Sequence, residues 1–183
     1  LPEQPAISIV PGAPETWVGV IPSTITRGEP FSLKIKAEDI WGNPTNKAST
    51  TLSVESNCPI KNLPKFIEVN AGDFATIVSG IIANITGPLE ILLHAPDGSL
   101  VAASNPAFVS DAPDLKSYWG DLHGQSEETL GTNSATDYFA FGRDRAFLDV
   151  CAHQGNDFQM TDTFWKDLNR ITSHFNEDGR YVT

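Results

Sequence analysis

The 183-residue sequence is short of the residues that staple small folds, cross membranes or grip polyanions. It holds two cysteines, Cys58 and Cys151, one methionine, and 12 Lys+Arg against 23 Asp+Glu. One cysteine in each half of a chain is a poor basis for a disulfide framework, so two unpaired thiols are expected. The formal net charge of −11 excludes nucleic acid as a partner, because phosphate recognition needs clustered Lys and Arg that displace counterions. The longest apolar stretch, Ile77 to Ile85, is broken by Ser79, Gly80 and Asn84 and falls short of the roughly 20 residues of a membrane span. The chain begins at Leu1, with no initiating Met and no charged leader before an apolar core. The expectation is a cytoplasmic location, or export after removal of a signal.

Proline is also missing, but only from one part. All 13 prolines lie at or before Pro113. Three of the histidines, His123, His153 and His174, and most of the aromatic residues follow it. A composition step at Asp111-Ala112-Pro113-Asp114 has the character of a domain boundary. Two regions are therefore expected, residues 1–112 and 113–183.

The first region reads as short strands. Phe31-Ser-Leu-Lys-Ile-Lys-Ala-Glu38 alternates strictly, which places Phe31, Leu33, Ile35 and Ala37 on one face and the charged residues on the other. Similar segments run from Thr16 to Ile21, Thr50 to Glu55, Lys65 to Val69, Phe74 to Asn84, Leu89 to His94 and Ser99 to Ala103, separated by turn signals such as Trp41-Gly-Asn-Pro44 and Pro96-Asp-Gly98. Regular turn spacing between short strands predicts an antiparallel β-sandwich accessory domain. With Ala37-Glu-Asp-Ile-Trp-Gly-Asn-Pro44 as its strand-to-turn segment, the region resembles the immunoglobulin-like modules that accompany many bacterial enzymes. His94 is expected to be a surface or packed histidine, and Trp17 and Trp41 to pack in core or turn rather than to stack on a sugar.

In the second region the period changes. Tyr118 to Leu122 reads as a strand running into His123, Ser134 to Asp144 as a helix capped by Asn133, and Phe147 to Ala152 as a strand ending at His153. Thr161 or Asp162 opens a longer helix with Phe164, Trp165, Leu168, Ile171 and Phe175 at helical spacing, and Arg180 to Thr183 begins a third strand. The order β-α-β-α-β predicts a parallel sheet or the start of a barrel. In such folds reactive residues sit just past the C-terminal ends of strands. His123 and His153 are expected there, able to share a metal ion if their strands are neighbours. Asp121, Gln125 and Asp157 are the nearest further oxygen donors. Imidazole with carboxylate and amide oxygens suits Zn²⁺, Mn²⁺ or Fe²⁺, against the alternative of loop histidines satisfied by backbone hydrogen bonds. Arg143 and Arg145 fit either an anionic substrate or the C-terminal end of a helix dipole.

Tyr118-Trp-Gly-Asp-Leu-His-Gly-Gln-Ser126 and Phe147-Leu-Asp-Val-Cys-Ala-His153, followed by Thr161-Asp-Thr-Phe-Trp165, carry a resemblance. They resemble the first two motifs of the PHP (polymerase and histidinol phosphatase) metal-dependent hydrolases, nearest the carbaryl-hydrolase-type branch that includes a domain of unknown function. The resemblance implies a mixed fold, an immunoglobulin-like sandwich followed by the first β-α-β-α-β units of a PHP-like, TIM-type α/β barrel. It implies one or two divalent ions held by His123 and His153, with Asp121, Gln125 and Asp157 in reach. The reaction implied is hydrolysis of a small-molecule ester, carbamate or phosphoester by metal-activated water. Gln125 stands where the family has a second histidine, and Ala152 where it has an acid.

A seven- or eight-stranded barrel needs about 200 to 250 residues, far more than the second region has. The expectation is an N-terminal part of a larger enzyme, inactive alone, with the rest of the barrel as its partner. The alternative is a non-catalytic binding or adaptor module whose β-sandwich recognises a glycan or protein.

Overall fold

The computed structural model describes residues 10–183; the first nine residues of the expected sandwich region lie outside the described residues. The first region contains β1 (Thr16–Val20), β2 (Thr24–Thr26), β3 (Pro30–Glu38), β4 (Pro44–Thr45), β5 (Thr50–Ser56) and β6 (Ile60–Lys61). It continues with β7 (Phe66–Val69), β8 (Thr76–Ala83), β9 (Gly87–Leu89), β10 (Ile91–His94), β11 (Leu100–Ala103) and β12 (Ala107–Ser110). One sheet has the order β1-β3-β8-β6, with β4 on the end of β3; a second runs β11-β10-β5-β7; a third, smaller one runs β2-β12-β9.

The alternation of β3 sets the inside of this sandwich. Phe31, Leu33, Ile35 and Ala37 are buried because side chains two apart share a face. They meet Leu52, Ile81, Leu89, Ile91, Leu93 and Val109 in one core. Each such aliphatic side chain contributes about 1.5–3 kcal/mol on burial. At the end of β3 the chain turns around Asp39, whose carboxylate accepts the N–H groups of Gly12 at 2.9 Å, Trp41 at 2.9 Å and Asn43 at 3.0 Å. These donors, Gly12 first, hold its carboxyl down at about 2. Gly42, at φ 78°, supplies the left-handed conformation of that turn. Trp41 is exposed rather than packed, whereas Trp17 lies against the core.

The second region holds β13 (Gly120–Gly124), α1 (Ala135–Asp144), β14 (Val150–His153), a short 3₁₀ turn (Asp157–Gln159) and α2 (Asp162–Phe175). Ser134, not Asn133, caps α1 by accepting the Asp137 N–H at 3.1 Å, and Thr161 caps α2 by accepting the Phe164 N–H at 3.1 Å. A second core forms from Phe139, Cys151, Phe164, Leu168, Ile171, Phe175 and Tyr181. Trp165, placed on the helical stripe by spacing, is exposed. Both cysteines are free, as expected.

Two expectations need correction. In place of the third strand, Arg180–Thr183 forms two isolated bridges, a parallel one between Val182 and Val150 and an antiparallel one between Tyr181 and Glu177. The barrel start is likewise absent among the described residues, which are nearly all β with two α-helices and in which the only named strands paired in this region are β13 and β14. Alternating strand and helix patterns dictate a parallel, right-handed β-α-β unit, but say nothing about whether its sheet continues and closes. The PHP-like, TIM-type fold is not what these residues build. Among the described residues no helix is long and apolar enough to cross a membrane.

The two regions touch through specific contacts. The Phe147 ring is buried beneath Lys34 and Lys36, whose ammonium groups stand 5.7 and 5.4 Å from its centroid. The Arg145 guanidinium lies 3.8 Å over the Phe74 ring. Trp119 donates its indole N–H to Ser23 Oγ at 3.2 Å, and Lys116 pairs with Glu29 at 3.4 Å.

Candidate functional site

His123 and His153 lie within β13 and β14, not beyond them. The strands pair in parallel with Gly124 opposite His153 and an irregularity between Asp121 and Gly124. His153 turns toward the helices. Its ring packs edge-on to Phe164 at 5.5 Å and to Tyr138 at 6.4 Å, and Nε2 is 2.8 Å from Oγ of the fully buried Ser126. Nδ1 is buried without a partner. Burial lowers the imidazole pKa, offset in part by the Glu128 carboxylate.

The other expected ligands are committed or remote. His123 is exposed, and its backbone N–H donates to Asp121 Oδ1 at 2.9 Å. Asp157 opens the 3₁₀ turn, exposed, with Oδ1 accepting the Phe158 N–H at 2.8 Å. Gln125 keeps its side-chain oxygen buried and unpartnered, and the residue also lines a cleft described below. Among the described residues no group of three His, Cys, Asp or Glu side chains converges as a metal site. The donor set expected for a Zn, Mn or Fe ion is thus dispersed and does not fit one, and the metal-binding, hydrolase character read from these motifs is corrected.

Two residues that carry this region's geometry were not singled out from the sequence. Ser126 fixes the His153 ring. Tyr138 lies across the strand pair, its hydroxyl donating toward the carbonyls of Asp121 at 3.3 Å and Ala152 at 3.2 Å. Desolvation raises its phenol pKa. The ring occupies the space where a Cβ on Gly124 would stand. A glycine inside a strand marks such close approach, so Gly124 was the available signal.

Between the two regions lies a cleft of about 970 Å³. One wall is the turn before β8 with Phe74 and the start of β8 with Ile77; the other is α1 with Asp137 and Phe141, followed by its C-cap Arg145, and Gln125 lines it as well. Positions 137, 141 and 144 share one face of the helix. Phe141 and Ile77 remain 45% and 47% exposed. Asp144 also lines the cleft but is gripped by Arg143, Nε to Oδ1 at 2.8 Å and Nη2 to Oδ2 at 2.9 Å. His94 is remote from it, at the end of β10 near Glu55.

No family model matches the chain. It is 27% identical to an uncharacterised protein of Chlamydia pneumoniae over 88% of its own length and 27% of that protein's. Uncharacterised proteins of Chlamydia muridarum and Chlamydia trachomatis match at 26% and 24% identity, each over 88% of this chain and 26% of theirs. The chain spans about a quarter of the length of these relatives. Among solved structures, it is similar to the D0-D1 domain of intimin, with a TM-score of 0.40 and 10% identity over 52% of this chain and 50% of that one. It is similar also to the D00-D0 domain of intimin, with a TM-score of 0.41 and 12% identity over 57% of this chain and 50% of that one. The resemblance to PHP hydrolases is corrected on the fold: no family model matches, and the described residues build a nearly all-β structure with two α-helices and no barrel start.

Proposed function

We propose that this chain is a non-catalytic binding or adaptor module that recognises its partner at the cleft between the β-sandwich and α1. The observation that carries this reading is the construction of the cleft. Its walls come from both regions, and it leaves the apolar surfaces of Phe141 and Ile77 facing open space. Concave sites that combine apolar faces with polar groups are the usual form of ligand sites. A hydrolase reading has less support, because Nε2 of His153 is engaged by Ser126 while His123 is exposed.

The test is amide-resolved NMR of the ¹⁵N-labelled chain, titrated with glycans and peptides. Saturable shifts gathered on the turn before β8 and on α1 are expected. Two results would refute the reading: Zn²⁺ giving saturable shifts at His123 and His153, with ester hydrolysis lost in His153→Ala, or ligand shifts that gather away from the cleft.

A further inference from the structure

A second cavity, of about 340 Å³, lies where β3 and the segment leading into β13 face the residues just before β14; it shares no lining residue with the cleft. Five charged side chains line it, and most of that charge is already matched. Lys116 is paired with Glu29 at 3.4 Å, and Arg180 with Glu177, Nη1 to Oε2 at 2.9 Å. Lys34 and Asp149 are left. The half-buried Lys34 ammonium stands 5.7 Å from the centroid of the Phe147 ring and, among the described residues, has no ion pair and no hydrogen bond. One Asp149 oxygen accepts the Trp119 backbone N–H at 2.9 Å, and the other has no partner among the described residues. The Asp149 charge is felt at Lys34, yet the two groups form no ion pair. Both side chains are partly accessible, so a molecule in the cavity can reach them.

One unpaired cation and one unpaired anion, both half-buried, therefore share a small cavity. Because their burial is alike, they weigh alike, and both act more strongly than charges out in water. An anion that pairs with Lys34 is opposed by Asp149, and a cation that pairs with Asp149 is opposed by Lys34. An uncharged ligand takes water from both and returns only weaker bonds. A zwitterion satisfies both, its carboxylate accepting from the ammonium and its own ammonium donating to the free carboxylate oxygen, in charge-assisted hydrogen bonds. Trp119, 62% exposed with its indole N–H held by Ser23, gives the body of such a ligand an apolar wall. The volume is near the bottom of the ~300–1,000 Å³ range of small-molecule sites, which suits a single amino acid and not a long chain.

We infer that the cavity between β3 and the residues before β14 is a binding site for a free amino acid, with the ligand carboxylate on Lys34 and its ammonium on Asp149. It is separate from the cleft, so either site can fail without the other. Saturation-transfer NMR of the full chain against the common L-α-amino acids, β-alanine and 4-aminobutyrate finds the binder, and the α- or ω-series that binds reports the charge spacing. Calorimetric titration then compares that amino acid with its N-acetyl derivative, which is an anion, and its amide, which is a cation. At least one amino acid should bind saturably, and each derivative should bind about tenfold more weakly or worse, the worth of one charge-assisted hydrogen bond. Lys34→Met keeps the stem over Phe147 and should erase the preference for the amino acid over its amide. Asp149→Asn can still accept the Trp119 N–H and should erase the preference over the N-acetyl derivative. A merely structural role for either residue would not produce these separate losses. The inference is overturned if no amino acid binds at millimolar concentration, if either derivative binds the unaltered chain as tightly as its parent, or if both folded variants keep the original preferences. Should a variant not fold, the derivatives on the unaltered chain decide.

Discussion

Gly142 tests how closely α1 packs on the second core. In an open helix interior, alanine in place of glycine stabilises by about 1 kcal/mol through backbone entropy. Here a Cβ would stand 2.6 Å from Cys151 Sγ and 2.7 Å from Tyr181 Oη, where ordinary contacts need about 3.5 Å or more. Neither neighbour has room to retreat. Cys151 and Tyr181 are fully buried, and the tyrosine hydroxyl donates to the Phe139 carbonyl at 3.1 Å. Overpacking of this kind costs about 1–3 kcal/mol, so Gly142→Ala should come out between roughly neutral and 2 kcal/mol destabilising after the helix gain is subtracted. Urea denaturation followed by circular dichroism measures it. Cys151→Ala removes one obstructing atom, so alanine at 142 should be less harmful by about 0.5 kcal/mol or more in that background. If Gly142→Ala stabilises the chain by the full open-helix amount with no coupling to position 151, the close packing of α1 on β14 and Tyr181 is refuted.

Other outcomes follow from the same coordinates. The Asp39 carboxyl, held near 2 against an ordinary 3.8, favours the charged form in the fold; its stabilisation is complete above the ordinary value and lost as pH falls through about 2. Asp39→Asn should therefore flatten the acid limb of a urea-midpoint against pH curve, and an unchanged limb would contradict the hub around Asp39. Burial lowers the His153 pKa below its ordinary 6.5, so the fold favours neutral imidazole, and stability should decline as pH drops from that value through the folded pKa. A ring-proton NMR titration with its midpoint at or above 6.5 would refute the buried placement. Thr161→Ala should cost about 1 kcal/mol and speed hydrogen exchange in the first turn of α2, while Thr161→Ser keeps most of the cap.

Much of the fold was readable because it rests on local periodicity. The alternation from Phe31 to Glu38 placed β3 and its buried face, and the spacing of Phe164, Leu168, Ile171 and Phe175 placed α2. β2 and β12 were not legible. Each is short, and they exist through parallel pairing with one another, Thr24 with Phe108 and Thr26 with Ser110, which no local pattern announces. The site suffered more. Shifting the ends of β13 and β14 by one or two residues carries the histidines into the strands, where neighbouring positions face opposite ways. The cleft was invisible for a different reason, since Phe74 and Phe141 come to line one cleft only through packing between regions.

That packing depends on β3 serving two roles. The alternation that sends Leu33 and Ile35 into the sandwich sends Lys34 and Lys36 outward, and there they cover Phe147 instead of pointing into water. Burial lowers the Lys34 pKa, while the Asp149 carboxylate works against that shift. Phe147 itself holds φ at 62°, an unfavourable conformation for a bulky residue that persists only where its surroundings over-determine it. Here the surroundings are a buried ring under two ammonium groups and, two residues earlier in the chain, Arg145 stacked on Phe74. The same short segment thus joins the regions and supplies one wall of the cleft, so the spacing between Phe141 and Ile77 is set by the joint and not by either region alone.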